Sequence, residues 1–210
     1  MAWSNRVNRA AVALTLCVAP LVMTSSVAGA SGATVRDAKD GISFSLPTAW
    51  LQIPLTGKDV SGLLAAATRA DPALKSALSS QVQQYVKKGV RIFAVGPIVR
   101  AMASNINVIV ASSAGLPTGP TYFDQMGVQV KIGLATIGAS NIVTTPIAVA
   151  TSRQLEATYS LTSAAVKGTA YGVQLYIRHR SHLAVVTVTS ASEATSRRIA
   201  HDVESTWAWS

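Results

Sequence analysis

The sequence predicts an α+β domain in which helices pack on an antiparallel sheet. Runs that alternate apolar and polar residues with period 2 are separated by segments whose apolar residues recur with period 3.6, and these periods are typical of strands and helices. The connections in the C-terminal half are too short for the crossovers that parallel strands need, so those strands are expected to be antiparallel. With 49% hydrophobic and 13% charged residues among 210, the chain can bury a core and does not have the composition of a disordered protein.

The first thirty residues have the pattern of a cleaved signal peptide. Arg6 and Arg9 precede an almost wholly apolar stretch over residues 10–22, and small residues follow as far as Ala30. Because signal peptidase accepts small residues at the −3 and −1 positions, cleavage is expected after Ala30. A membrane anchor is disfavoured, since the stretch is shorter than the roughly 20 residues of a span and contains Pro20.

The mature chain is therefore expected to be one α+β domain, residues 31–210, secreted to the cell envelope or the medium. The only cysteine, Cys17, lies in the apolar stretch after Leu16, which is not the small residue that precedes a lipidated cysteine. A disulfide scaffold and thiol chemistry are thus excluded. Loss of Arg6 and Arg9 lowers the formal net charge from +9 to +7.

In the N-terminal half, the strand over residues 42–46 is predicted most clearly. Ile42, Phe44 and Leu46 alternate with serines after the turn at Asp40-Gly41, and Pro47 ends the strand. A second extended piece follows at residues 51–54. Helical spacing then predicts one helix over residues 58–70 and another from Asp71 to Lys88, with Gly89 in the C′ position.

Two β-rich runs follow, residues 90–95 and 106–110, joined by a segment that contains Gly96-Pro97. Apolar residues at steps of three and four predict a third helix over residues 122–137. Its two internal glycines, Gly127 and Gly133, indicate either close packing on a sheet or a weak helix held by tertiary contacts.

The C-terminal part predicts four more strands and a last helix. The strands span residues 147–149, 153–161, 170–179 and 183–189, and Arg180-Ser181 is the predicted tip of the final hairpin. Ser190 and Glu193 form a capping-box pattern that opens the helix. Its expected apolar stripe is Ile199, Val203 and Trp207, and its expected i,i+4 ion pairs are Glu193–Arg197 and Arg198–Asp202.

No motif for catalysis is present in the chain. The nucleophile elbow, the phosphate-binding loops and the His-Glu-x-x-His zinc motif are all absent. The nine acidic residues are scattered, and three of them open helices. The protein is therefore expected not to be an enzyme and to need no cofactor or metal. The alternative is a hydrolase in which Ser112 or Ser113 meets a distant histidine in the fold.

The final hairpin carries the one local cluster that could contact a ligand: Arg178, His179, Arg180 and His182. The arginines would repel a metal cation, which leaves either a solvated basic turn or a surface that docks on anions. Nucleic acid is not an expected partner, because the basic residues are dispersed, no aromatic stacking motif accompanies them and the signal peptide directs the protein out of the cell.

The chain contains several short motifs that occur together in one family: residues 40–47 with Trp50, 104–108, 174–176, 184–189 and 205–207. These motifs resemble those of PsbP-like domains, and the nearest branch is the exported LpqN-type proteins of actinobacteria. The resemblance covers residues 35–210, and Ala49 stands where the family has glycine before Trp50. It implies an αβα sandwich around a central antiparallel sheet, with binding or accessory roles and no catalytic residues.

These observations favour a secreted, non-enzymatic binding or accessory protein of a bacterial cell envelope. Its ligand would be an envelope lipid or a protein, and a lipid would occupy an apolar cavity on the sheet face beneath the helices. The first alternative is electrostatic binding of anionic envelope polymers. The second is the hydrolase with a non-local Ser/His site.

Overall fold

The computed structural model describes residues 33–53, 55, 84–99, 102–114, 116, 121–149, 152–163 and 168–210. The predicted signal peptide and most of the two helices predicted over residues 58–88 lie outside these residues. The elements of the described part are β1 (Thr34–Asp37), β2 (Ile42–Ser45), β3 (Leu51–Ile53), β4 (Val90–Val99), β5 (Met102–Ser112), α1 (Thr121–Thr136), β6 (Ala139–Val149), β7 (Ser152–Ser163), β8 (Gly168–His179), β9 (His182–Ser190), α2 (Glu193–Thr206) and β10 (Ala208–Trp209).

A seven-stranded sheet in the order β3-β4-β5-β9-β8-β7-β6 forms the centre of the molecule, and every pairing in it is antiparallel. A second, three-stranded antiparallel sheet has the order β1-β2-β10. Successive side chains of a strand point to opposite faces, so the central sheet contributes to two cores. The α+β class and the antiparallel sheet predicted from the sequence are confirmed.

The core on the α2 side of the sheet is built from alternate residues of the central strands. Val173, Leu175 and Ile177 of β8 pack there against Ile199 and Val203 of α2. The three-stranded sheet covers the same core. The buried side chains of this core include the three apolar residues of the first predicted strand: Ile42, Phe44 and Leu46.

The core on the α1 side uses the intervening residues of the same strands. Tyr176 of β8 and Val185 of β9 pack with Met126, Val130 and Leu134 of α1. A Cβ atom added at Gly127 of α1 would lie 3.1 Å from Oγ1 of Thr144 on β6. This supports the close-packing interpretation of that glycine.

Several predicted boundaries are confirmed. Residues 84–87 are helical, and Gly89 follows them with a left-handed φ of 76°, as expected of a C′ glycine. The β8–β9 hairpin turns at Arg180 and Ser181. The predicted Glu193–Arg197 pair of α2 is formed at 3.0 Å, whereas Arg198 and Asp202, both among the described residues, do not pair with each other.

Three local predictions need correction. Gly96-Pro97 does not connect two strands, because β4 continues through it as an irregularity between Val95 and Ile98. The strand predicted at residues 147–149 is the end of a longer one, β6. The N-cap of α2 is Ser192, whose side chain accepts a hydrogen bond from the Thr195 backbone NH, since Ser190 is still paired in β9.

Candidate ligand-binding surface

The tip of the β8–β9 hairpin is held in a defined conformation. His179 and His182 form the last cross-strand pair, and Arg180 has a left-handed φ of 50° between them. Buried Ser113, at the end of β5, donates its backbone NH to the Ser181 carbonyl at 2.6 Å and its hydroxyl to the Arg180 carbonyl at 3.3 Å. The left-handed conformation is less stable by about 1–2 kcal/mol for a non-glycine residue, and the contacts of Ser113 offset this conformational energy at Arg180.

Both histidine rings of the tip lie against one tryptophan. Strand β10 pairs with β2, and this places Trp209 opposite Ile42. The Trp209 ring is 5.7 Å from the His179 ring at an angle of 17°, and 6.2 Å from the His182 ring at 37°. Trp207 meets Trp209 edge to face at 5.7 Å. Trp209 therefore packs against both imidazoles of the tip, and Trp207 packs against Trp209.

Arg178 lies on the opposite face of the sheet. Its Nη2 atom donates to the Leu116 carbonyl at 3.1 Å, and its guanidinium carbon is 5.0 Å from the centre of the Tyr122 ring of α1. Burial raises the pKa of Tyr122, and the positive charge of Arg178 partly opposes that rise. The role of Arg178 in the structure is therefore to join the hairpin to α1.

Of the four residues predicted as a site, the structure brings together His179, Arg180 and His182 and separates Arg178 from them. We call the group of His179, Arg180, His182 and Trp209 the tip surface. Sequence reasoning missed Trp209 as a member of this group. The available signal was its spacing two residues after Trp207, which places both indoles on one side of an extended chain.

A row of polar side chains crosses the middle of the central sheet on the α1 side. Asn107, Thr187 and Gln174 are cross-strand neighbours on β5, β9 and β8, and all three are completely buried. Four polar atoms of this row have no hydrogen-bond partner among the described residues: Oδ1 and Nδ2 of Asn107, Oγ1 of Thr187 and Nε2 of Gln174. The Tyr176 hydroxyl donates to Oε1 of Gln174 at 2.6 Å.

This polar row bears on the predicted lipid cavity beneath the helices. Buried polar groups without partners are costly beside hydrocarbon, because an acyl chain offers no hydrogen bonds. On the α1 side, the described centre of the sheet is thus a poor lining for a lipid tail.

The serines considered for hydrolysis make other contacts. Ser113 donates to the Arg180 carbonyl, and Oγ of Ser112 accepts from the Ala114 backbone NH at 3.2 Å. Among the described residues, neither serine hydroxyl forms a hydrogen bond with a histidine ring. In the exposed turn, the Ser181 hydroxyl lies 3.5 Å from Nδ1 of the adjacent His182. Among the described residues, no three His, Cys, Asp or Glu side chains are grouped so that they could hold a metal ion.

Comparisons with known proteins identify the fold. No protein-family model and no curated protein matches the sequence. The solution structure of the cyanobacterial PsbP protein of Synechocystis sp. PCC 6803 is similar, with a TM-score of 0.52 and 17% identity over 90% of this chain and 99% of that one.

Two further structures are less similar. The crystal structure of LpqN, involved in cell envelope biogenesis of Mycobacterium tuberculosis, has a TM-score of 0.48 and 8% identity over 86% of this chain and 90% of that one. The crystal structure of the Saccharomyces cerevisiae Ran-binding protein Mog1p has a TM-score of 0.47 and 9% identity over 85% of this chain and 95% of that one. The likeness to the cyanobacterial PsbP structure confirms the fold that the sequence motifs led us to expect: this chain has the PsbP-like fold.

Proposed function

We propose that this chain is a secreted, non-enzymatic binding or accessory protein of a bacterial cell envelope, and that it binds anionic envelope polymers through the tip surface. One observation carries the proposal. Three nitrogen-bearing side chains, His179, Arg180 and His182, project from one turn that is anchored by Ser113 and supported by Trp209.

The chemistry of these side chains fits a carboxylate or phosphate group. A guanidinium presents a fork of N–H donors that matches both anions, and a hydrogen bond with an ionised partner is stronger than a neutral one. In the described part of the chain, the acidic side chains that form ion pairs are Asp40, Glu156 and Glu193, none of which belongs to the tip surface.

Export is the second part of the proposal and rests on the N-terminal sequence. The basic residues Arg6 and Arg9, the short apolar stretch and the small residues ending at Ala30 support cleavage and secretion. Within the described residues, no helix is both long enough and apolar enough to cross a membrane.

The binding proposal can be tested by co-sedimentation of the mature chain with immobilised polygalacturonate and polyphosphate, with neutral dextran as the reference. We expect retention on both anionic polymers at about 0.05 M NaCl and release at about 0.5 M, because salt screens exposed charges. The variant Arg180→Gly removes the charge while suiting the left-handed backbone, and His179→Gln/His182→Gln removes both imidazoles. Both variants are expected to bind less.

Lys131→Gln is the matched control, because it removes one exposed charge from α1, away from the tip. Equal losses in Lys131→Gln and Arg180→Gly would show that only net charge matters and would contradict the assignment of the site. Retention that does not change with salt would contradict the electrostatic mechanism.

A further inference from the structure

A groove of about 370 Å³ lies between α2 and the segment that leads into β3. Trp50 forms one wall, Arg198, Ile199 and Asp202 of α2 form the other, and Ser104 of β5 contributes to the lining. Ser104 precedes Ser112 by eight positions, and Ser112 is paired with His182, so the groove is about 26 Å along β5 from the tip surface. It is therefore a separate place on the molecule, and its volume is in the range of small-molecule sites.

Two features of the backbone hold the Trp50 ring in the wall of the groove: its contact with Gly96 and the conformation of Ala49. A Cβ atom at Gly96 of β4 would lie 2.4 Å from Cε2 of the Trp50 ring, so the indole lies directly on the glycine. Ala49, immediately before it, has a left-handed φ of 66° that suits glycine better. Strain of this kind persists where the surrounding structure enforces it and is concentrated at binding sites.

The helix wall of the groove carries two opposite charges. Arg198 and Asp202 are one turn apart on α2, yet among the described residues neither has an ion-pair partner, and neither the guanidinium nor the carboxylate has a hydrogen bond there. The neighbouring Arg197, by contrast, is bound to Glu156 and Glu193. The wall therefore offers free donors and free acceptors side by side, with no net charge.

From this arrangement we infer that the groove binds a neutral sugar ring, as a free monosaccharide or as one unit of a glycan. Hydroxyl groups both donate and accept, so a single ring can accept hydrogen bonds from Arg198 and donate one to Asp202. The apolar C–H face of the ring would lie on the indole of Trp50. The inference does not depend on the anionic ligand proposed for the tip surface.

Charged ligands fit the groove less well. An anion or cation that is attracted by one of the two α2 charges is repelled by the other. A zwitterion could satisfy both, but ion pairs with an exposed side chain such as Arg198 contribute little in water. The indole contact is then the main source of affinity, and it favours a ring with an apolar face.

The test is an NMR titration of the mature chain, with the indole NH of Trp50 assigned through the variant Trp50→Phe. Methyl α-glucopyranoside and N-acetylglucosamine represent single rings, the corresponding neutral oligosaccharides represent glycans, and L-alanine represents a zwitterion. At least one saccharide is expected to shift the Trp50 signal saturably. Binding of single rings places a free or terminal sugar in the groove, and binding of oligosaccharides alone places an internal glycan unit there.

Variants on the helix wall show whether the groove is the site. Arg198→Gln and Asp202→Asn are surface changes that leave the core intact, and each is expected to weaken saccharide binding by roughly threefold, the effect of losing one hydrogen bond at an exposed site. Arg197→Gln is the matched control and should bind normally. The inference is overturned if no saccharide shifts Trp50, if alanine alone does so, or if Arg197→Gln weakens binding as much as Arg198→Gln.

Discussion

At the scale of single residues, two groups of buried hydroxyls have opposite hydrogen-bonding states. Ser196 of α2 donates to the Tyr171 carbonyl at 2.7 Å and lies 2.8 Å from the Ser190 hydroxyl. Thr187, in the polar row of the central sheet, is equally buried, but its hydroxyl has no hydrogen-bond partner in the described part of the chain. Desolvation of a polar group is offset only when a hydrogen bond replaces the lost water, so these residues should affect stability with opposite signs.

We therefore expect Thr187→Val, which replaces the unpartnered hydroxyl by a methyl group of similar size, to raise the free energy of unfolding by about 1 kcal/mol. Ser196→Ala should lower it by about 1–2 kcal/mol, since the Tyr171 carbonyl loses its donor. Urea denaturation of the two variants measures both effects. A loss of stability in Thr187→Val would show that the row is hydrogen-bonded to water or to a ligand in solution.

The same row makes a prediction about alkaline pH. Burial raises the pKa of Tyr176 above its ordinary value, and the nearby Tyr159 adds to this rise. The unfolded chain releases the tyrosine proton near pH 10 while the folded chain keeps it, so the unfolded state binds fewer protons and stability falls as pH increases. The variant Tyr176→Phe has no ionisable hydroxyl at this position, so its stability should not fall with pH for this reason.

Urea denaturation at pH 8 and pH 11 compares the two proteins. Wild type should lose about 1.4 kcal/mol more than Tyr176→Phe between these values, the linkage expected one unit above the unfolded pKa. Equal losses would mean that Tyr176 ionises in the folded protein as it does in the unfolded chain.

At the scale of elements, the sequence predicted the strands and helices that have a clear local periodicity. It did not predict the boundaries that depend on pairing with a distant strand. The strand starting at Ile42 and the α1 helix were predicted because their apolar spacing is clear. The first part of β6 was missed, because Asn141 interrupts alternation with a left-handed φ of 52° at an irregularity in the pairing with β7. Gly96-Pro97 resembles a loop, but pairing of β4 with β5 on both sides keeps it in the strand.

The N-cap residue of α2 also depends on strand pairing and could not be chosen from the sequence alone. Ser190 and Ser192 both suit an N-cap, and only the pairing of β9 with β8 excludes the first. We expect Ser192→Ala to lower the free energy of unfolding by about 1 kcal/mol and Ser192→Asp to retain most of it, since aspartate is also a good N-cap. Thermal unfolding of the two variants provides the measurement. Equal destabilisation by both would contradict the capping role.

The candidate site was likewise predicted only in its local part. His179, Arg180 and His182 are neighbours along the chain, so their grouping at a hairpin tip follows from the sequence. Their contact with Trp209 depends on pairing between β10 and β2, which are far apart in sequence. The position of Arg178 on the other face follows from strand alternation, once the strand is known to continue to His179.

At the scale of the whole molecule, the arginines in the described part of the chain are used in different ways. Arg197 and Arg91 are held in ion pairs, Arg178 is bound to the loop that precedes α1, and Arg180 projects from the tip. The formal net charge of +7 expected for the mature chain attracts it to anionic surroundings in general. Specific contact then depends on where an exposed charge stands on a well-held backbone, as Arg180 does at the tip surface.

The central claim, that the tip surface is the contact site for anionic polymers, is tested most directly by NMR. The mature, isotopically labelled chain would be titrated with short oligogalacturonates at low salt, and shifts of backbone and indole signals would be mapped on the fold. The account predicts that the largest shifts fall on residues 179–182 and on the indole of Trp209, and that they disappear in Arg180→Gly/His179→Gln/His182→Gln. Shifts spread evenly over the exposed lysines and arginines, or concentrated away from the hairpin tip, would contradict it.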